Sequence, residues 1–357
     1  MTAWARGLDI LKQRLDRTPA AIRSAAGAPH EPCDDGNARS FIVTGVGSSA
    51  AHAKYLVYLL NDQLHVPARF LPLGAFTELP PHDFSSDVLV VFSQGLSPNA
   101  DVALATARRF HSCIIATAVS ATSANAERRL RLGAATAEGA RVAAFGTPDE
   151  DGTLLRLEGA AAGYVCALRL AQDIGRRRRL PLTQPLDDSF EHVAARVEEV
   201  LQTPTTERLP PPELPLVLLS LGPYADLLDN LRLKLLEGAL RPYPPAWDML
   251  AFAHGPFQQL HSHPAVVVAL THRGHRAESE LLARVRRISP PHHEVREWPA
   301  ALPGPLALFE HEARVAQLVL HDIELRKIDV AHWPGRGCDG PLYDVTTEAL
   351  RSASGGR

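Results

Sequence analysis

Short, continuous apolar runs alternate with amphipathic stretches along most of this chain. Phe41-Ile42-Val43-Thr44 reads as a buried strand, and Gly45-Val46-Gly47-Ser48-Ser49 as a turn into a helix that runs from Ala50 to Leu60. The unit then repeats. Val88 to Phe92 is a strand, Ser93-Gln94-Gly95-Leu96-Ser97-Pro98-Asn99 a polar turn, and Asp101 to Arg109 a helix. Further strands are expected at 113–117 and 141–145, with a helix at 157–175. Beyond the proline-rich connection from Thr203 to Pro215 the pattern begins again: strand 216–219, turn 220–224, helix 225–240, strand 266–270, helix 276–287 and a closing helix at 309–327. Such alternation predicts an α/β fold with two doubly wound parallel sheets, each flanked by helices. Residues 4–26 read as an amphipathic helix interrupted near Pro19 and packed on the first domain or on a partner subunit, and residues 187–202 as another helix. The expected division is an N-terminal helical segment at 1–26, domains at 27–185 and 186–348, and a disordered tail at 349–357.

Composition narrows the classes. With 357 residues, 45% of them apolar, and a net charge of −3, wholesale disorder and a general nucleic-acid footprint are both excluded. No signal peptide and no apolar run long enough to span a bilayer is apparent, so a soluble, cytoplasmic protein with no membrane partner is expected. Cys33, Cys113, Cys166 and Cys338 are scattered and are read as reduced thiols. The 16 histidines show no HExxH spacing; most are read as surface residues, and no metal site is expected. Four consecutive arginines, Arg176 to Arg179, suit the negative pole of a helix end and the solvent.

Gly45-Val46-Gly47-Ser48-Ser49-Ala50 satisfies the GxGxxA dinucleotide pattern. A dinucleotide site also needs an acid about twenty positions later to hold the ribose. The stretch VPARFLPLG has none there, so no nucleotide cofactor is expected. Binding of an anion explains both turns better. Helix starts offer unpaired N–H groups and partial positive charge, and Ser48, Ser49, Ser93, Gln94 and Ser97 cluster at two of them.

The helix at 225–240 carries the candidate chemistry. Leu227, Leu228, Leu231, Leu235 and Ala239 form its apolar stripe, and Pro242 forbids continuation. Lys234, Glu237 and Arg241 fall three and four residues apart, so the expectation is one carboxylate between two cations, held ionised at neutral pH. Ala253-His254-Gly255-Pro256 follows, with proline suited to a first helical turn and His254 just ahead of it.

Taken in order, VTGVGSSAAHA, VFSQGLSPNAD, LRLKLLEGAL and AFAHGPFQQL resemble the sugar isomerase (SIS) domain family, in the tandem arrangement of the isomerase half of glucosamine-6-phosphate synthase. The resemblance spans about 27–348. It implies that Gly47, Ser48, Ser49, Ser93, Gln94 and Ser97 contact a sugar or its phosphate, and that Glu237 moves a proton between the first two sugar carbons. It further matches Lys234 to the lysine one turn before that base, and His254 to a histidine that helps open the sugar ring from the neighbouring subunit, implying a homodimer with shared active sites. A carboxylate suits such transfer because it can lift and return the proton on one face. The ligand implied is a sugar derivative, expected to be phosphorylated, and no cofactor is implied.

The departures are specific. The family's SQSGxT loop is changed by Gly95-Leu96, which loses a hydroxyl and shifts the register, and the interval from Glu237 to His254 is one residue longer than in the synthase. Tyr343, in PLYDVTTE, stands where the synthase carries a Schiff-base lysine. No glutamine-hydrolysing domain precedes Met1-Thr2 in this sequence, so no internal ammonia source is expected. The reading is an aldose-ketose isomerase; the alternatives are a deglycase cleaving a sugar-amine (Amadori) conjugate, or a non-catalytic sugar-phosphate regulator.

Overall fold

The structure, a computed structural model, describes residues 2–31, 38–148, 150–183 and 189–343. Cys33 and the tail at 349–357 lie outside the described residues. The chain falls into two compact units, one from Met1–Pro19, Thr153–Leu157 and Glu191–Ala331, the other from Ala20–Gly152, Glu158–Phe190 and His332–Arg357.

Helix α1 (Ala3–Gly27) contributes its first part to one unit and its remainder to the other. The interruption expected near Pro19 is absent, and the helix runs through it. Proline removes one N–H from the ladder, but buried Leu8, Leu11 and Leu15 before it and Ile22 and Ala25 after it keep an apolar stripe on both sides.

The second of these units holds a five-stranded, all-parallel sheet in the order β2-β1-β3-β4-β5 (β1 Ser40–Thr44, β2 Ala68–Phe70, β3 Phe84–Phe92, β4 Phe110–Thr117, β5 Arg141–Ala144). Helix α2 (Ser48–Tyr58) follows β1 and packs against α5 (Glu158–Arg177), a helix buried along most of its length. Expected helix 101–109 is instead a single α-turn, α3 (Asp101–Leu104), between two 3-10 turns. Helix α4 (Ala126–Ala137) was not legible: only Leu132 is buried on it, so it lacks the stripe that announces a helix. At the end of α5, Arg177 pairs with Asp173, and Arg178 donates to the Ala38 carbonyl at 2.9 Å and lies over the Phe41 ring, so the arginine run closes the helix.

The other unit holds a four-stranded parallel sheet in the order β7-β6-β8-β9 (β6 Leu216–Ser220, β7 Ala246–Asp248, β8 Ala265–His272, β9 His293–Ala300). Its helices are α6 (Phe190–Gln202), α7 (Asp229–Glu237), α8 (Pro256–Leu260), α9 (Arg276–Ile288) and α10 (Ala307–Arg326). The predicted helix at 225–240 is therefore shorter, entered through a 3-10 turn at Gly222–Leu227. Its apolar stripe is buried as expected, and it packs on α10.

Histidine is not confined to the surface. His311 is fully enclosed: its Nε2–H donates to the Trp298 carbonyl at 2.8 Å, which leaves Nδ1 to accept from the Tyr224 hydroxyl at 2.7 Å. Burial pushes this imidazole down to about 3, so it is neutral at any working pH. His52, on α2, likewise donates to the Ala160 carbonyl at 2.9 Å, with the Phe92, Phe145 and Tyr164 rings around it.

Candidate functional site

In the five-stranded sheet the strand order reverses between β1 and β3, and the turns leaving these two strands stand at the crevice where open α/β sheets bind ligands. The first turn needs glycine. A Cβ on Gly45 would lie 2.6 Å from the Ser49 carbonyl oxygen, because the helix start folds back over it. Gly47 caps α2 with a φ of 59°, a left-handed conformation. Ser48 opens the helix half-buried. Ser49 is buried, and its hydroxyl accepts the Gln94 N–H at 3.3 Å, which ties the first turn to the second.

The second turn is held from below. Thr117 Oγ donates to the Gln94 carbonyl at 3.1 Å, and the Ala118 N–H donates to the same oxygen at 2.9 Å. The Gln94 side chain donates through Nε2 to Glu150 at 3.2 Å. Glu150, itself buried, also accepts the N–H groups of Glu158 at 3.2 Å and Gly159 at 2.7 Å, so one carboxylate closes the start of α5 and orients Gln94. Gly159 makes room for this: a Cβ there would overlap the Gln94 amide at 1.9 Å.

Leu96 explains how the altered loop still turns. It takes a φ of 45°, the conformation natural to glycine, and its side chain is fully buried in the core cluster with Leu89, Val91 and Ala103. That backbone costs an L-residue about 1–2 kcal/mol, a cost that burial of the leucine offsets. Ser97 donates to Asn99 Oδ1 at 2.7 Å, and the Leu96 carbonyl accepts from Arg131 at 2.9 Å. The backbone N–H groups of Gly95 and Ser97 make no hydrogen bond among the described residues. Arg128 packs its guanidinium against Gly95 and pairs with the exposed Asp151 at 3.3 Å. Hence the loop that lost a hydroxyl carries two backbone donors, at Gly95 and Ser97, and a cation beside Gly95.

The proton-transfer candidates lie in the unit of the four-stranded sheet, and their arrangement differs from the expected triad. Lys234 is buried and pairs with Glu312 of α10, whose carboxylate also accepts from Asn230 Nδ2 at 3.0 Å. Arg241 lies past the helix end, where its guanidinium binds the carbonyls of Pro210, Pro211 and Leu214. Glu237, the last residue of α7, is thus not a carboxylate clamped by two neighbours on one helix face. Burial pushes its pKa up to about 7, against the opposing pull of first Lys234 and then Arg156. The expectation of a fully ionised group at neutral pH is corrected accordingly: desolvation outweighs the two cations, and the negative pole of the helix acts in the same direction.

Arg156 reaches this place on the segment Thr153–Leu157. Arg14 fastens the segment by donating to Thr153 Oγ at 2.6 Å, and Leu155 packs against the backbone at Gly238, where a Cβ would lie 3.1 Å from its Cδ2. The Nη1 atom of Arg156 is buried and has no hydrogen-bond partner among the described residues.

His254 is exposed on the turn that precedes α8, which starts at Pro256 as its sequence predicts. Gln258 braces this turn, accepting the Gly255 N–H at 2.8 Å and donating to the Ala253 carbonyl at 2.9 Å. His254 forms no hydrogen bond with Glu237 among the described residues. The backbone of Tyr343 ends the short turn Gly340–Tyr343, and its side chain lies outside the described residues. Among the described residues no group of three or more His, Cys, Asp or Glu is placed to hold a metal ion, and no helix is long and apolar enough to cross a membrane.

Glu150, Arg128 and Glu312 escaped sequence reasoning. Each acts on at least one residue 33 or more positions away, at a spacing set only by the fold, and no local pattern marks them. A cleft of about 790 Å³ opens at the amino ends of β4 and β5, lined by His111, Cys113 and Arg141 among others, and it contains none of the candidate residues.

The two parallel sheets and the turns at their carboxyl edges define the tandem sugar isomerase fold. The chain is similar to the C-terminal domain of glucosamine-fructose-6-phosphate aminotransferase from Francisella tularensis (TM-score 0.65, 12% identity, covering 88% of this chain and 96% of that one). It is also similar to tagatose-6-phosphate ketose/aldose isomerase from Escherichia coli (0.61, 18%, 90% and 95%) and to glucosamine-6-phosphate deaminase from Thermotoga maritima (0.65, 15%, 91% and 97%). No protein-family profile and no curated protein sequence matches it. At these identities the likeness is one of fold.

Proposed function

We propose that this protein is an aldose-ketose isomerase of a sugar phosphate or amino-sugar phosphate, with Glu237 carrying the proton between carbon 1 and carbon 2. The observation that carries the reading is the Glu237 carboxyl group, whose pKa burial moves up to about 7. A group that must both take and return a proton works best when its affinity matches the ambient pH. The similar folds support the substrate class, since the proteins named above are a ketose/aldose isomerase, an aminotransferase and a deaminase of 6-phosphosugars. In this reading Gly47, Ser48, Ser93, Gln94 and Ser97, with the N–H groups of Gly95 and Ser97, bind the phosphate, and Ser49 braces the two turns. His254 protonates the ring oxygen during opening, from the neighbouring subunit of a homodimer.

A panel of ketose and aldose 6-phosphates assayed for interconversion tests the activity, and ligand stabilisation without turnover would instead indicate a regulator. Shared sites have a separate test. Glu237→Gln and His254→Asn, each inactive alone, should recover about a quarter of wild-type activity when mixed and re-assembled, because half the dimers are mixed and each has one intact site. Absence of recovery from verified mixed dimers would place both residues in the same subunit's site. Arg128→Gln is expected to raise KM for the phosphorylated sugar about tenfold, the loss of one charged contact, with kcat nearly unchanged. An unchanged KM would remove Arg128 from the anion site.

A further inference from the structure

We infer that Arg156 is the group that receives the negative charge formed on the substrate oxygen when Glu237 takes its proton. The inference rests on the isomerase reading and adds an electrophile to it.

Proton abstraction from a carbon next to a carbonyl demands such a group. The Glu237 carboxylate takes the proton from carbon 2 of the open-chain aldose, the C–H electron pair becomes the C1=C2 bond, and the carbonyl pair moves onto O1 as an alkoxide. A proton then passes from the O2 hydroxyl to O1. The electron pair left on O2 re-forms a carbonyl at carbon 2, while the C1=C2 pair takes back the proton held by Glu237 at carbon 1. Nothing is oxidised overall and Glu237 ends as it began. Throughout, negative charge sits on O1 or O2, and without a fixed donor facing it the enediolate is a poor intermediate.

Lys234, one turn before Glu237 on the same helix, is another cation to consider, but its ammonium is committed. It is buried against Glu312, which also accepts from Asn230, and withdrawing it would take the cation away from a buried carboxylate. Arg241 is committed too, to three backbone carbonyls at 210–214. Arg156 differs from both. Its segment is clamped at Thr153 by Arg14 and packed through Leu155 on the turn that follows Glu237. Its charge is felt at the Glu237 carboxyl, and its Nη1 is shielded from water with no hydrogen-bond acceptor among the described residues. An unsatisfied buried N–H donor is destabilising, and an incoming oxyanion would satisfy it. Guanidinium is suited to the task, since it stays protonated beside a base and offers neighbouring donors to two adjacent oxygens.

The test uses the full-length protein with Arg156→Gln and Arg156→Lys, after melting curves show that both fold. The expected result for Arg156→Gln is a loss of about 10²- to 10³-fold in kcat, the scale of one lost oxyanion donor, with KM changed less than threefold and partial recovery in Arg156→Lys. A second readout does not need turnover. A sugar-phosphate hydroxamate, which mimics the enediolate, should bind Arg156→Gln about a hundredfold more weakly, while the unreactive sugar-alcohol phosphate binds equally to both proteins. The acidic limb of the pH profile should also move upward, since a cation that favours the ionised Glu237 has gone. A loss confined to KM, or equal weakening of both analogues, would make Arg156 a general anion contact and overturn the inference. If Glu237→Gln stops turnover while Arg156→Gln works normally, the inference fails and the base assignment stands. If the wild-type protein isomerises no sugar phosphate, both fall together.

Discussion

Glu237→Gln is expected to lower isomerase turnover by at least about 10³-fold, within the range that positioned acid-base catalysis contributes, and at the same time to stabilise the folded protein above neutral pH. The two effects share one cause. Folding moves this carboxyl group from an ordinary value of 4.5 up to about 7, so between these limits the folded state holds a proton that the unfolded chain releases. Stability therefore falls as pH rises from 4.5 to 7 and stays reduced above that, by up to about 3 kcal/mol at 1.36 kcal/mol per unit. Glutamine remains neutral and escapes the penalty. The variant should melt several degrees above wild type at pH 8 and together with it at pH 4.5, as measured by calorimetry across that interval. In the active wild-type protein, kcat/KM should rise through about pH 7 as the carboxylate forms. A destabilised variant at pH 8 would mean that the carboxylate makes favourable contacts in the folded state.

Lys234→Met should be among the most damaging single changes to stability. It takes the paired cation away from the enclosed Glu312 side chain, which also accepts from Asn230. Removing one partner of a buried pair typically costs about 3–5 kcal/mol, whereas replacing both partners with apolar groups of similar size is often nearly neutral. The double variant Lys234→Met, Glu312→Leu should accordingly recover most of the stability that the single variant loses, which urea denaturation of wild type, Lys234→Met and the double variant would measure. A single variant as stable as wild type would show that the ammonium is not committed to Glu312 and is free to serve the substrate.

Much of the framework was legible because it is written in local pattern. The runs at 41–44, 88–92, 216–219 and 266–270 are apolar but for Thr44, as buried parallel strands tend to be, and each becomes a strand within a residue or a few of its predicted ends. Three of the four edge strands escaped notice for the converse reason. β2 and β7 have three residues each, and β9 reads HEVREWPA, with the charges that an edge tolerates. The glycine and serine turns were visible as chemistry, because a strand that ends in small polar residues before a helix has few other uses. What sequence could not reveal is which cation belongs to which carboxylate. Spacing put Lys234 and Arg241 beside Glu237, yet tertiary structure paired them with Glu312 and with backbone carbonyls, so burial dominates at Glu237 over the pull of Lys234 and then Arg156. Glu150 was hidden in the same way, since its partners are the Gln94 amide 56 positions away and the first N–H groups of α5.

The most direct test is deuterium exchange. The wild-type protein and Glu237→Gln are incubated with ketose and aldose 6-phosphates in deuterated buffer at pH 8, and label at carbon 1 and carbon 2 is read by NMR. Wild type should introduce deuterium at these carbons of at least one sugar phosphate, and folded Glu237→Gln should introduce none above background. Equal exchange by both proteins would contradict the assignment of Glu237 as the base.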